Sequence, residues 1–249
     1  MTSPERAPLG AALAMLLALT TLTGPPSPIL VAAVTAFGSL LVGFGWPALL
    51  EIPSALGTRL IVCATGIAGT GLALISGTRV DPLSAVVIVI ACGVLGSFIH
   101  QMLRSERHDL THSLTGTVAG VMLTGLGSCW VLAQATAVDL GHAGIVTAIA
   151  AGLAGALLLD TTAVPARARL LLSVLAGSAI TAALAMSLAA VGVWAALALG
   201  AVTTVAAVGA HQLLASLIVS REPGASLAVE SSPVVTAGVI ALVTATLLG

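Results

Sequence analysis

Two histidine–glutamine pairs stand out from an otherwise apolar chain: His100-Gln101 and His211-Gln212, 111 residues apart. An imidazole can carry a proton near neutral pH or touch an anion, and the amide beside it both donates and accepts. Each pair falls near the end of a long apolar run, which places it at a membrane boundary and not at the midplane. Gly93, Gly96, Ser97, His100 and Arg104 share one face by three- and four-residue spacing, and Gly200, Thr204, Ala207 and His211 do the same on the second run. The functional reading is a polar pair at an inner gate, His100 and Gln101 facing His211 and Gln212. The competing reading is an interfacial ring that bonds a neighbouring carbonyl. Either way both rings are expected to be more than half buried, each bonded to a polar group of another helix. Such interhelical bonds average about 0.6 kcal/mol, so losing either ring should barely change stability.

The most polar stretch is Arg104-Ser105-Glu106-Arg107-His108-Asp109, followed by His112. Arg104 and Arg107 are candidate contacts for lipid headgroups. His108 and His112 have no second ligand pair and no cysteine nearby, so no metal is expected. The acids read almost all as loop residues: Asp160 ends the sixth span, Glu51 lies in the equivalent inner connector, Glu106, Asp109, Glu222 and Glu230 fall on the same side, and Asp81 and Asp139 on the other. That placement leaves no carboxylate at a span centre, which argues against an ion-coupled site of the intramembrane type. Cys63, Cys92 and Cys129 fall in different runs with no paired spacing and read as packing residues. No phosphate-cradling glycine loop, nucleophile elbow or paired-acid metal motif occurs, and no cofactor is implied.

The elements that would position these residues follow from composition. The 249 residues are 58% hydrophobic and 7% charged, where a soluble domain carries about 25% charge. Eight arginines, no lysine and nine acids give a net charge of −1, and tyrosine is absent. A nucleic-acid partner is excluded on both counts. The lipid bilayer is the implied surrounding, and the lysine-free, alanine-, valine-, leucine- and glycine-rich composition has the character of a bacterial inner-membrane chain.

A span needs about 20 apolar residues, and nine candidates fit: Leu9–Thr23, Pro28–Gly45, Arg59–Ser76, Pro82–Leu103, Thr111–Ala133, Ala143–Leu159, Leu170–Ala189, Gly192–Val219 and Pro233–Gly249. No period-two alternation is present, so the expected fold is all-α, a polytopic transmembrane helical bundle. Asp81-Pro82 reads as an N-cap and first turn. With the N-terminus in the cytoplasm, Arg6, Arg59, Arg104, Arg107, Arg167, Arg169 and Arg221 fall inside and Arg79 outside, as the positive-inside rule requires. The C-terminus then lies outside. Leu9–Thr23 is short enough to resemble a signal peptide, but Thr21-Leu22-Thr23-Gly24 is a poor cleavage site, and a retained span is expected.

Besides the His-Gln pairs, Val34-Thr35-Ala36 recurs as Val146-Thr147-Ala148, Arg59-Leu60 as Arg169-Leu170, and Ala119-Gly120-Val121 as Ala237-Gly238-Val239. The last offset is larger, as if a cytoplasmic loop were longer at Arg221–Ser232. The reading is a leading helix (1–27) and two parallel four-helix repeats (28–134 and 135–249). Gly116 and Gly120, with Gly66, Gly69 and Gly71, read as helix-packing positions, with discontinuous helices lining a cavity as the sharper alternative.

Three functions fit. The first is a permease-like or lipid-handling transporter for an apolar, neutral or amphipathic cargo. The second is a non-catalytic subunit or scaffold that meets a membrane-protein partner through Gly/Ala faces. The third is an intramembrane lipid-modifying enzyme.

Overall fold

In lipid every backbone N–H and C=O must find a partner within its own segment, and the chain meets that demand with helices. The computed structural model describes residues 9–24, 27–75, 82–104, 109–160, 162, 164–217 and 222–247, and these contain only helices and their connections. In order the helices are α1 (Leu9–Thr21), α2 (Ser27–Leu49), α3 (Ala55–Ile75), α4 (Pro82–Leu103), α5 (Leu110–Gly127), α6 (Cys129–Asp139), α7 (Gly144–Asp160), α8 (Ala166–Ala189), α9 (Val193–Ala215), α10 (Pro223–Thr236) and α11 (Gly238–Leu247). α5 and α6 form one span, broken at Ser128, and α10 and α11 another, broken at Ala237. Seven spans among the described residues are long and apolar enough to cross a bilayer, and α1 and α7 are shorter apolar helices. Asp81, Arg79, Arg6, Arg107, His108 and Arg221 lie outside the described residues.

The two breaks have local causes. Ser128 turns its hydroxyl onto the Gly125 carbonyl at 2.6 Å, competing with the helical ladder. Pro233 lacks an N–H to continue the ladder, and the helix stops one turn later. Trp130 Nε1 then donates to the Val234 carbonyl at 2.7 Å, beside the second break. Gly238 makes room for that indole, since a Cβ there would stand 2.8 Å from Trp130 Cδ1.

The last span corrects the expected boundary. It begins at Pro223, not Pro233, so the stretch expected as a long loop at Arg221–Ser232 is helical from Pro223 onward. Glu222-Pro223 sets the first turn. The hydroxyls of Ser231 and Ser232, which look like loop chemistry, each bond the carbonyl four residues back at 2.5 Å. The enlarged repeat offset therefore does not come from a longer loop.

Packing separates inner from outer helices. α7 sits at the centre, between α1 and α8, with Ile145, Val146, Ile149 and Leu153 fully buried. α1 packs against it with Leu13, Ala14 and Leu17 buried, Leu13 facing Gly38 of α2, and Thr21 Oγ1 meets Thr147 Oγ1 at 2.8 Å. α10 runs along α2, and α11 packs on α6, so the second halves of the broken spans touch. α4 is peripheral and turns Leu83, Val87, Ile88, Leu95, Phe98, Ile99 and Met102 outward. An apolar outer face with small residues inside is the pattern lipid demands.

Glycines set the closest crossings. A Cβ on Gly152 of α7 would collide with Thr181 Oγ1 and stand 2.7 Å from the Gly177 carbonyl of α8. One on Gly116 would meet Ile52, and one on Gly120 would meet Trp46 and Val62. Gly66 and Gly69 likewise face Ser39 and Ser128, whereas Gly71, Gly96 and Gly209 face open space.

Candidate functional site

Two polar clusters lie at the end of the bundle formed by the α2–α3, α4–α5, α7–α8 and α9–α10 connections. α2 and α10 meet there directly, since a Cβ on Gly45 would stand 2.5 Å from the Gly224 carbonyl. Arg59, Arg104, Arg167 and Arg169 belong to the same end.

The charged cluster joins α7, α9 and α10. Asp160 is the last residue of α7 and is 6% exposed, where the negative end of the helix dipole disfavours a carboxylate. Its partners offset that cost. His211 Nδ1 stands 2.6 Å from Asp160 Oδ2, and Gln212 Nε2 donates to Asp160 Oδ1 at 3.2 Å. Arg169 Nε lies 3.3 Å from Asp160 Oδ1, an ion-pair distance at an angle that makes no hydrogen bond. The other ring nitrogen, His211 Nε2, faces Glu230 Oε1 at 3.2 Å.

Glu230 lies about 10 Å along α10 from its start, at ~1.5 Å per residue. It is 7% exposed. Gly10 of α1 closes over it, since a Cβ there would sit 2.5 Å from the Glu230 carbonyl and 3.4 Å from Oε2. Small residues thus bring α1 against α10 at the level of the carboxylate. An imidazole with a carboxylate on each nitrogen satisfies both when it carries two protons. With Arg169, the four groups then sum to zero, the condition under which charges are tolerated inside a bundle.

The uncharged cluster joins α3, α4 and α5. Gln101 Nε2 donates to Ser113 Oγ at 2.8 Å and reaches Ser54 Oγ at 3.4 Å, while Ser54 and Ser113 meet at 2.5 Å. Arg104 donates to Gln101 Oε1 at 2.9 Å and to Ser113 Oγ at 3.4 Å. Deeper in the same crossing, Thr58 and Thr117 share a bond of 2.8 Å. His112 Nε2 meets the Leu50 carbonyl at 2.8 Å. His100 packs on Gly57 of α3, and its Nε2 is buried with no hydrogen-bond partner among the described residues.

The sequence-derived candidates therefore divide. His211 is buried and bonds two other helices, as expected. His100 is partly buried but lacks the expected bond, because the interhelical contacts of its pair are made by Gln101. His100 and His211 share no hydrogen-bond partner among the described residues. Arg107 falls outside the described residues.

Sequence reasoning missed Asp160 and Glu230 as members of the site, having read Asp160 as a span end and Glu230 as a loop acid. Both belong to helices and are buried, Asp160 at a helix end and Glu230 two turns into the last span. The signal for Glu230 was Glu222-Pro223, the same acid–proline start that marks α4. Cys63 is partly buried, Cys92 exposed and Cys129 buried, and all three are free.

The void beside Leu13, Gly38 and Trp130 admits no water, and an open apolar groove of about 340 Å³ between α9 and α11 is lined by Leu199, Val202, Ile240 and Val243. Fold and site together define a multi-span helical membrane protein with a charged cluster inside its bundle. No family model, curated protein or solved structure matches the chain.

Proposed function

We propose that this chain is a permease-like transporter for a neutral or amphipathic cargo, with the Asp160–His211–Glu230 cluster as its inner gate. The observation that carries the reading is the burial of two carboxylates and an imidazole between α7, α9 and α10. Charges inside a membrane bundle are costly, and replacing a buried ion pair by apolar residues is often neutral or stabilising. A purely structural bundle gains little from such a cluster, whereas a gate gains a contact that can open. The two broken spans are the elements that would move. Both are mostly buried, which is where interrupted helices are tolerated.

The arginine split supports a cytoplasmic placement of the gate, with the N-terminus inside and the C-terminus outside. Two repeats behind a leading helix are supported by recurring helix limits. α3 and α8 begin at 55 and 166, and α4 and α9 begin at 82 and 193, both 111 apart, and each half closes with a broken span. The packing of the halves differs in several respects: α10 lies along α2 and α1 along α7, and among the described residues the α3–α5 and α7–α9 contacts have no comparable counterpart in the other half.

Reconstitution into liposomes tests the transport reading. Dithionite access to fluorescent phospholipid and efflux of a panel of neutral and amphipathic solutes are compared with protein-free vesicles. Movement of any of these supports transport. Absence of all movement contradicts it and leaves the scaffold reading, which the outward-facing Gly71, Gly96 and Gly209 favour. Stable co-purification of a second membrane protein would then be the expected result.

A further inference from the structure

Resting on the gate reading above, we propose that one exchangeable proton, held on His211 Nε2 against Glu230 Oε1, is the ligand that closes the gate. The two His-Gln pairs show that such a dipeptide packs without acids. At their 111-residue offset Asp160 corresponds to Leu49, a buried apolar residue. α5, which opens the broken span of the first half, carries no acid at all. There His100 packs on Gly57 with its Nε2 buried and unbonded. The second half instead sets a carboxylate against each nitrogen of His211, so the protons on that ring decide how α9 is held.

The two contacts answer differently to the loss of a proton. Nδ1 meets Asp160 at 2.6 Å and Nε2 meets Glu230 at 3.2 Å, so the Nε2 proton is the less firmly held. When the Nε2–H bond breaks, its electron pair stays on nitrogen and the proton leaves to water beside the partly exposed Arg169. The neutral ring keeps Nδ1–H on Asp160, which also keeps Gln212 and Arg169. Its Nε2 lone pair then faces an ionised oxygen of Glu230, acceptor against acceptor. α9 stays on α7, and its contact with α10 turns repulsive. α10 can respond, because Pro233 stands three residues beyond Glu230 and already interrupts the helical ladder. From the helices packed on α9, the charged groups facing the ring are Asp160 of α7, Arg169 of α8 and Glu230 of α10. Arg167 of α8 and Glu222 before α10 are exposed. Of the helices that also pack on α10, α1, α2 and α11 hold no ionisable residue, and α5 holds His112, exposed and bonded to the Leu50 carbonyl.

The test uses the full-length protein in nanodiscs, with isotope-labelled histidine, scanned from about pH 5 to about pH 10, a range that brackets the ordinary imidazole titration. Ring protonation is read by nitrogen NMR, with His211 assigned from the signals lost in His211→Gln. Amide hydrogen exchange of α10 is read at each pH after correction for the intrinsic rate. In the wild type, loss of the Nε2 proton and a rise of about tenfold or more in α10 exchange should come at one pH, the fold-change expected for a lost bond to a charged group. In Glu230→Gln the ring should still titrate while α10 stays protected, because the new amide can donate to the bare Nε2. Glu222→Gln should keep the wild-type step. A ring that holds one protonation state across the scan, α10 exchange that does not follow the ring, or a step that survives in Glu230→Gln overturns the proposal. Should Glu230→Gln fail to fold, the wild-type scan decides by itself. No cargo enters the measurement, so a failure here leaves the transport reading standing, and a proton-dependent step without flux in liposomes places the failure in the transport reading.

Discussion

His211 Nδ1 and Asp160 Oδ2 are 2.6 Å apart, joining α9 to α7 across 51 residues of chain. The ring does not end there, because its second nitrogen reaches Glu230 on α10. One imidazole therefore ties three helices, which gives the histidines of the two His-Gln pairs opposite energetic weight.

His211→Ala removes the group that separates two buried carboxylates. Breaking a buried charged pair by deleting one partner costs about 3–5 kcal/mol. His100→Ala deletes a ring with no hydrogen bond at Nε2 and should cost under about 1 kcal/mol. Unfolding of the two variants in detergent, followed by circular dichroism, should separate them clearly. Equal losses would contradict the bridging role of His211. The sequence-based expectation of a small effect thus survives for His100 and is revised for His211.

Arg169 and His211 both face Asp160, but unequally. The Arg169 side chain is 31% exposed and lacks hydrogen-bond geometry. A partly exposed guanidinium outside hydrogen-bond geometry holds the buried carboxylate less firmly than a direct bond to a charged group, which is worth about 1.5–3 kcal/mol. A double-mutant cycle should give a larger coupling for Asp160→Asn with His211→Ala than for Asp160→Asn with Arg169→Gln. The reverse order would place the main anchor of Asp160 on α8 instead of α9.

Gly152→Ala should separate α7 from α8, since the added methyl meets Thr181 and the Gly177 carbonyl. Overpacking of this kind costs about 1–3 kcal/mol. Gly96→Ala adds the same methyl where nothing lies within 4 Å, and should be neutral or slightly stabilising through helix propensity. Unfolding temperatures of the pair check the packing of α7 directly.

Trp130→Phe removes the indole N–H that serves the Val234 carbonyl beside the α10–α11 break. A buried carbonyl left unpaired costs about 1–3 kcal/mol. Trp46→Phe removes the comparable bond to the Gly116 carbonyl at 2.8 Å and should cost a similar amount. Tryptophan fluorescence and unfolding midpoints of both variants test whether the breaks are supported this way.

Orientation is open to a separate check. Reporter fusions within 104–112 and after Gly249 should report cytoplasmic and external positions. A cytoplasmic signal at the C-terminus would contradict the nine-span threading.

Most of the architecture was legible because hydropathy and punctuation agree. Pro82–Leu103 was read to the residue, since a proline marks the helix start and the apolar run is unbroken. The fifth span was cut short at Ala133, although the helix continues through α6 to Asp139, because Gln134 and Thr136 lower the local hydropathy. Gln134 is buried instead, donating to Ser27 Oγ at 2.9 Å. The same effect hid Glu230: the run Glu230-Ser231-Ser232 reads as solvated, yet the serines bond within their own helix and the acid bonds His211. A hydropathy sum treats polar atoms as exposed, and it fails where they are paired inside. The asymmetry between the halves was legible only in part. The His-Gln recurrence is plain in the sequence, but which acid meets which ring depends on how α7, α9 and α10 come together.

The most direct test of the gate is Glu230→Gln assayed for flux and stability together. Glutamine keeps an acceptor for His211 and removes the charge, so the bundle should remain folded with a near wild-type unfolding temperature. The expected result is that cargo movement through wild-type liposomes falls at least about tenfold in the variant, the loss of roughly 1.4 kcal/mol of gating interaction. Wild-type flux carried undiminished by Glu230→Gln would contradict the assignment of Asp160, His211 and Glu230 as a gate.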